Sequence, residues 1–124
     1  MGMRTTVDAV EECLAGLNEE WAVIARGYYN HARRRIGALE PGMYDGMPTM
    51  HYRGKALFSL IATPRGFTMF PHSNAIAADV GSELAGSPGI AAAKGGVRFT
   101  LSQPLPYAAF NRLLDERVNE IDRA

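Results

Sequence analysis

Apolar residues in the first third of the chain recur at spacings of three and four. Val7, Val10, Leu14 and Leu17 form one stripe, and Trp21, Ile24, Ala25, Tyr28, Ala32 and Ile36 form a second. That is the period of a helix with one buried face. A threonine at Thr5-Thr6 caps the first helix and Asn18 the second. Asp8, Glu11 and Glu12, then Glu19 and Glu20, lie in the first turns, where the helix dipole favours negative charge. Gly37 and Pro41-Gly42 end the second helix. The hinge at Gly16-Leu17-Asn18 fits either a helical hairpin or one bent helix.

From Thr49 the period changes to that of strands. Met50 and Tyr52, then Ala56 to Ala62, predict two strands turning at Arg53-Gly54-Lys55, and Phe67 to Phe70 a third after the turn Thr63-Pro64-Arg65-Gly66. Turns this short imply an antiparallel meander. Ser73 to Ala85 is predicted as a helix stopped by Gly86-Ser87-Pro88-Gly89. Gly96 to Leu101 alternates as a strand, with Val97, Phe99 and Leu101 on one face, until Pro104-Leu105-Pro106 breaks it. Tyr107 to Arg123 is a strongly amphipathic helix with Phe110, Leu113, Leu114, Val118 and Ile121 on its apolar side. The predicted order is α-α-β-β-β-α-β-α, an α+β domain with an antiparallel sheet of at least four strands packed by helices.

Length and composition narrow this further. At 124 residues the chain makes one domain, 1–124, able to bury roughly two-thirds of its unfolded surface. Thirteen basic and thirteen acidic residues cancel, so net charge gives no reason to expect a nucleic acid or a membrane as partner. The single cysteine, Cys13, has no partner for an internal disulfide, and a reducing cytoplasm is the expected location. No apolar run reaches membrane-spanning length and no leader pattern is visible at the N-terminus.

Familiar catalytic signatures are missing. His31, His51 and His72 are too scattered for a zinc site, and the glycines fall at the wrong intervals for a phosphate loop or dinucleotide fingerprint. Ser59 lies within an apolar strand, which argues against a nucleophile. Asp8, Glu11, Glu12, Glu19 and Glu20 form an acidic ridge, a candidate oxygen-ligand site for a hard cation and equally a solvated face. Arg33, Arg34 and Arg35 suit a helix C-terminus or an anionic partner.

The densest stretch is Met43 to Lys55, MYDGMPTMHYRGK. Gly46-Met47-Pro48 predicts a rigid elbow from Asp45 to Pro48 into the first strand. Alternation then puts Met50 and Tyr52 on one face and Thr49, His51 and Arg53 on the other. Tyr44 and Tyr52 offer hydroxyls that line a pocket or pack at its edge.

MYDGMPTMHYRGKALFSLIA, FTMFPHSNAI and AAKGGVRFTLSQPLP, followed by an amphipathic helix, resemble the YdhG-like family of uncharacterised domains over Leu39 to Ile121. The shared features are Tyr44, Gly46, Met47 and Pro48; Gly54-Lys55; Phe70-Pro71; and Lys94, Gly95, Arg98 and Phe99. The chain departs from the pattern at Pro64-Arg65-Gly66, where relatives have lysine and histidine, and at Met50, where many have an aromatic. The resemblance implies the α+β fold. Because the family includes a protein described as a frataxin-like iron chaperone, it also implies iron as a possible ligand of the acidic ridge.

Three functions follow as expectations. The first is a non-enzymatic module binding a small or anionic ligand in a groove formed by Tyr44, Met47, His51, Arg53, Lys94 and Arg98, with no resident cofactor. The second is iron binding by Asp8, Glu11, Glu12, Glu19 and Glu20. The third is self-association, as a homodimer, through exposed helix surface.

Overall fold

A computed structural model describes residues 8–124; Thr5, Thr6 and Val7 lie outside the described residues. Two helices open it, α1 (Ala9–Ala15) and α2 (Glu19–Ile36). They are separate, which settles the hinge in favour of two helices. Asp8 caps α1, accepting from the N–H groups of Val10 and Glu11, and Asn18 caps α2 by accepting from Trp21 N–H.

Four strands follow, β1 (Leu39–Tyr44), β2 (Met47–Tyr52), β3 (Lys55–Ala62) and β4 (Gly66–Phe70). Then come α3 (Asn74–Glu83), β5 (Ile90–Ala93), β6 (Gly96–Thr100) and α4 (Tyr107–Arg123). The expected order of elements is present, with two short strands added. All six strands pair antiparallel in the order β1-β2-β3-β4-β6-β5.

The added strands correct two expectations. Pro41-Gly42 does not lie in a loop after the helix but inside β1, an edge strand, where a proline leaves no central ladder broken. The predicted elbow is therefore the end of a hairpin: Asp45 (φ 53°) and Gly46 (φ 80°) form a two-residue turn with both residues left-handed. Arg53 (φ 53°) and Gly54 (φ 80°) repeat it between β2 and β3. Such turns twist in the same sense as the strands they join.

Register sorts the side chains onto two faces. Phe58, Leu60, Phe67, Met69, Val97 and Phe99 share one face and are all buried. Aromatic rings lock the helices to it. Phe58 stacks on Tyr29 of α2 and meets Phe110 of α4 edge-on, both at 5.1 Å; Phe67 packs on Trp21 at 5.5 Å and Phe99 on Tyr28 at 5.6 Å. α1 reaches the same face through Cys13, whose Sγ lies 4.0 Å from the Met43 sulfur, and α3 packs its Gly81 against Ala92. All four helices thus cover one side, and the other side of the sheet is open.

Two irregularities in β2 and β3 shape the middle of the sheet. Met50 opposes Phe58 while His51 opposes Ala56, leaving Leu57 without a partner. This bulge lets Leu57 join Phe58 in the core. One step the other way, Pro48 would oppose Leu60 but has no N–H to give. The Tyr29 hydroxyl bridges the two strands there, donating to Pro48 C=O at 2.9 Å and accepting from Leu60 N–H at 3.2 Å. Among the described residues, no helix is long and apolar enough to cross a membrane.

Candidate functional site

The open face carries a polar cluster where β4 ends. β4 pairs only with Ser59 to Ala62, so β3 from Lys55 to Phe58 has no neighbour on that side. Into the gap comes Arg117 of α4, donating through Nε to Ala56 C=O at 3.0 Å. Its Nη1 reaches Glu120 at 3.0 Å, and only 17% of the side chain is exposed. Glu120 in turn accepts from Ser73 Oγ at 2.8 Å, the residue that caps α3. Helix, strand and cap are therefore tied through one arginine and one glutamate.

His72 stands beside this junction, between Pro71 and Ser73, with φ +57°. A left-handed histidine is uncommon, and here it turns the chain from β4 into α3. Its Nε2 lies 2.7 Å from Ser59 Oγ, which lies 2.5 Å from Thr49 Oγ1. Proton counting gives these contacts a direction. With the Thr49 hydroxyl proton on Met47 C=O at 2.8 Å, Ser59 donates to Thr49 and His72 Nε2 donates to Ser59. The neutral imidazole then keeps a lone pair on Nδ1. No buried side-chain nitrogen or oxygen among the described residues lacks a partner, so Nδ1, which has none, reaches solvent.

An open hollow of about 360 Å³ lies over this cluster, lined by Tyr44, His51, Lys55, Ala56, His72 and Arg117. Tyr44, half exposed, meets the His72 ring edge-on at 5.0 Å. His51 lies against Gly42, where an added Cβ would come within 3.1 Å of its Cε1. Burial, then the nearby charges of Arg117 and His51, hold the His72 pKa below its ordinary value, which favours the neutral ring.

The six residues expected to form one groove do not meet. Tyr44 and His51 share the hollow above, and Met47 opposes Tyr44 in the register. Arg53 is drawn away by its left-handed turn. With Tyr52 it binds Asp122 at the end of α4, the two donors each 3.0 Å from Oδ1. Lys94 lies on the β5–β6 turn beside Asn74 and Ala78, and Arg98 lines a separate hollow with Arg65. The reason is sheet order: β3 and β4 stand between β2 and β6.

The acidic ridge is also dispersed. Asp8 caps its helix and pairs with Arg33 at 2.7 Å, and Glu11 pairs with Arg26 at 3.0 Å. Burial works against the charge of Asp8. The Arg33 hydrogen bond and the N–H groups of Glu11 and Val10 outweigh it and hold the carboxyl below the usual range. Glu12, Glu19 and Glu20 are exposed. Among the described residues, no three histidine, cysteine or acidic side chains come together as a metal site.

Sequence reasoning missed Ser59, Thr49, His72 and Arg117. Ser59 lies in an apolar strand, and one strand's pattern does not show that Thr49 and His72 satisfy it. The signal within reach was His72-Ser73 after Pro71, a polar pair at a strand-to-helix junction.

With the geometry in place, comparison with known proteins adds the fold. No family model matches the chain, and no curated protein does. Among solved structures, a DUF1801-family protein, YdhG from Bacillus subtilis, superposes with a TM-score of 0.80 over 93% of this chain and 92% of its own, at 13% identity. The chain has a YdhG-like fold. At this identity the likeness speaks to the YdhG-like architecture and to nothing finer.

Proposed function

We propose that this YdhG-like protein is a binding module for a small ligand, held in the hollow between Tyr44, His51, His72 and Arg117. The reading is carried by the direction of the hydrogen-bond chain. With the His72 Nε2 proton turned inward to Ser59, Nδ1 is left as a solvent-reaching acceptor on a ring that lines the hollow together with Arg117. An acceptor next to a cation suits a ligand with an acidic oxygen and a neighbouring hydroxyl or N–H, and Lys55 adds positive charge. The same direction speaks for binding over nucleophilic chemistry. Ser59 is fully buried, and its proton is committed to Thr49, so His72 is not placed to take it.

Histidine ring resonances test this, because His31 is a built-in control, held at 2.6 Å by Asn111 between α2 and α4. Titration with glycolate, which has a hydroxyl beside its carboxylate, is expected to move the His72 and His51 signals and leave His31 in place. Acetate, lacking the hydroxyl, is expected to move them less, and Arg117→Gln or His72→Asn to abolish the response. No shift, or equal shifts of all three histidines, rejects the reading.

The iron reading is not carried forward, since arginines already neutralise Asp8 and Glu11. No specific observation favours self-association.

A further inference from the structure

A second hollow on the open face, about 430 Å³, lies at the far side of the sheet between the β3–β4 turn and β5. Its polar lining is Thr63, Arg65, Arg98 and Thr100. Six arginines of the chain, Arg26, Arg33, Arg35, Arg53, Arg112 and Arg117, are in ion pairs. Arg65 and Arg98 have neither an ion pair nor a side-chain hydrogen bond among the described residues, although they share one concavity. No acidic residue lines it.

The two threonines sharpen the chemistry. Thr63 Oγ1 already accepts from Gly66 N–H at 3.2 Å, and Thr100 Oγ1 from Gln103 N–H at 3.1 Å. Backbone donors thus occupy acceptor positions on both oxygens; Thr63 retains its hydroxyl proton to give, while Thr100 Oγ1 also lies 3.4 Å from Ser102 Oγ. The polar side chains of the hollow are thus chiefly donors, two of them permanently charged. Arg98 projects between Thr68 and Ala91 in the register, and the small Ala91 leaves the space beside it empty. Ala91, opposite Arg98 in the register, supplies apolar surface next to the charge.

We infer that this hollow binds the phosphate group of a small phosphate monoester. Two guanidiniums match a dianion with several acceptor oxygens, since planar N–H forks engage phosphate in paired bonds. The apolar lining accommodates the esterified body. The site is separate from the hollow over His72 and does not depend on it: β3 and β4 intervene, and its residues are different.

Phenyl phosphate and inorganic phosphate are suitable probes, followed by calorimetry and by the arginine Nε–H resonances of the intact chain. Phenyl phosphate is expected to bind more tightly than inorganic phosphate and to shift Arg65 and Arg98. Arg65→Gln and Arg98→Gln are each expected to weaken it about tenfold or more, as loss of a charge-assisted pair does. Arg34→Gln removes the same charge from an exposed helix position outside this hollow and is expected to leave affinity within about twofold, since distant surface charge is screened. Equal weakening by all three substitutions, or none by Arg65→Gln and Arg98→Gln, overturns the inference. So does equal affinity for both probes. Both arginines are exposed, so the variants are expected to fold.

Discussion

Phe58 and Ser59 are neighbours in β3 and face opposite sides of the sheet. Phe58 is packed between Tyr29 and Phe110 under the helices, while Ser59 sits on the uncovered side, equally buried, between Thr49 and His72. The covered face is held by area and shape, which are summed over many contacts. The open face buries its polar groups under single directional bonds, each with one alternative, to be unmade at a cost. Apolar packing therefore concentrates on the first side, and directional polar contacts on the second.

Removing the ring at Phe58 is the strongest way to break this contrast. Phe58→Ala is expected to destabilise by about 3–5 kcal/mol in chemical denaturation, the usual cost of emptying an aromatic site in a core. Tyr29→Phe keeps the ring and removes only the hydroxyl, yet it takes away the group that bridges Pro48 C=O and Leu60 N–H. A loss of about 1–3 kcal/mol is expected, and a neutral outcome would mean that water replaces the hydroxyl.

On the open face, Ser59→Ala is expected to cost about 1–2 kcal/mol by leaving His72 Nε2 and Thr49 unsatisfied. Adding Thr49→Val should cost less than the sum of the two single changes, because the pair is removed together. Additive costs would show that the chain of bonds contributes nothing as a unit.

The smallest effect concerns pH. His72 has a folded pKa below its unfolded value of 6.5, so protonation favours the unfolded chain. Its contribution is complete above about pH 6.5 and is lost as pH falls from there through the folded pKa. His72→Asn, which tolerates the left-handed backbone, is expected to flatten stability against pH in that window, measured by urea midpoints. An unchanged slope would assign the pH dependence to other groups.

How much of this was legible in the sequence depended on locality. α2 and α4 announced themselves through the spacing of Tyr28, Ala32, Phe110 and Leu114, all buried as expected. β1 and β5 did not. Pro41-Gly42 carries a turn signal that only an edge position overrides, and Ala91 to Ala93 lack the branched and aromatic residues that mark strands. The alternation of Thr49 and His51 on the open face was readable. Arg53 was not, because a residue inside a left-handed turn no longer follows strand alternation. The hollow over His72 draws on positions 44, 51, 72 and 117, joined only by register and by the early end of β4. The Arg65 side chain, visible in the sequence as a departure from the family pattern, gained meaning only beside Arg98.

The last turns of α4 make three attachments in six residues: Arg117 to the β3 backbone, Glu120 to the cap of α3, and Asp122 to the β2–β3 turn. Fraying of that helix end would release a strand, a helix start and a hairpin at once. The C-terminal turns of α4 and the hairpin at Arg53-Gly54 are thus expected to exchange their amide protons as one cooperative unit, although some seventy residues separate them along the chain.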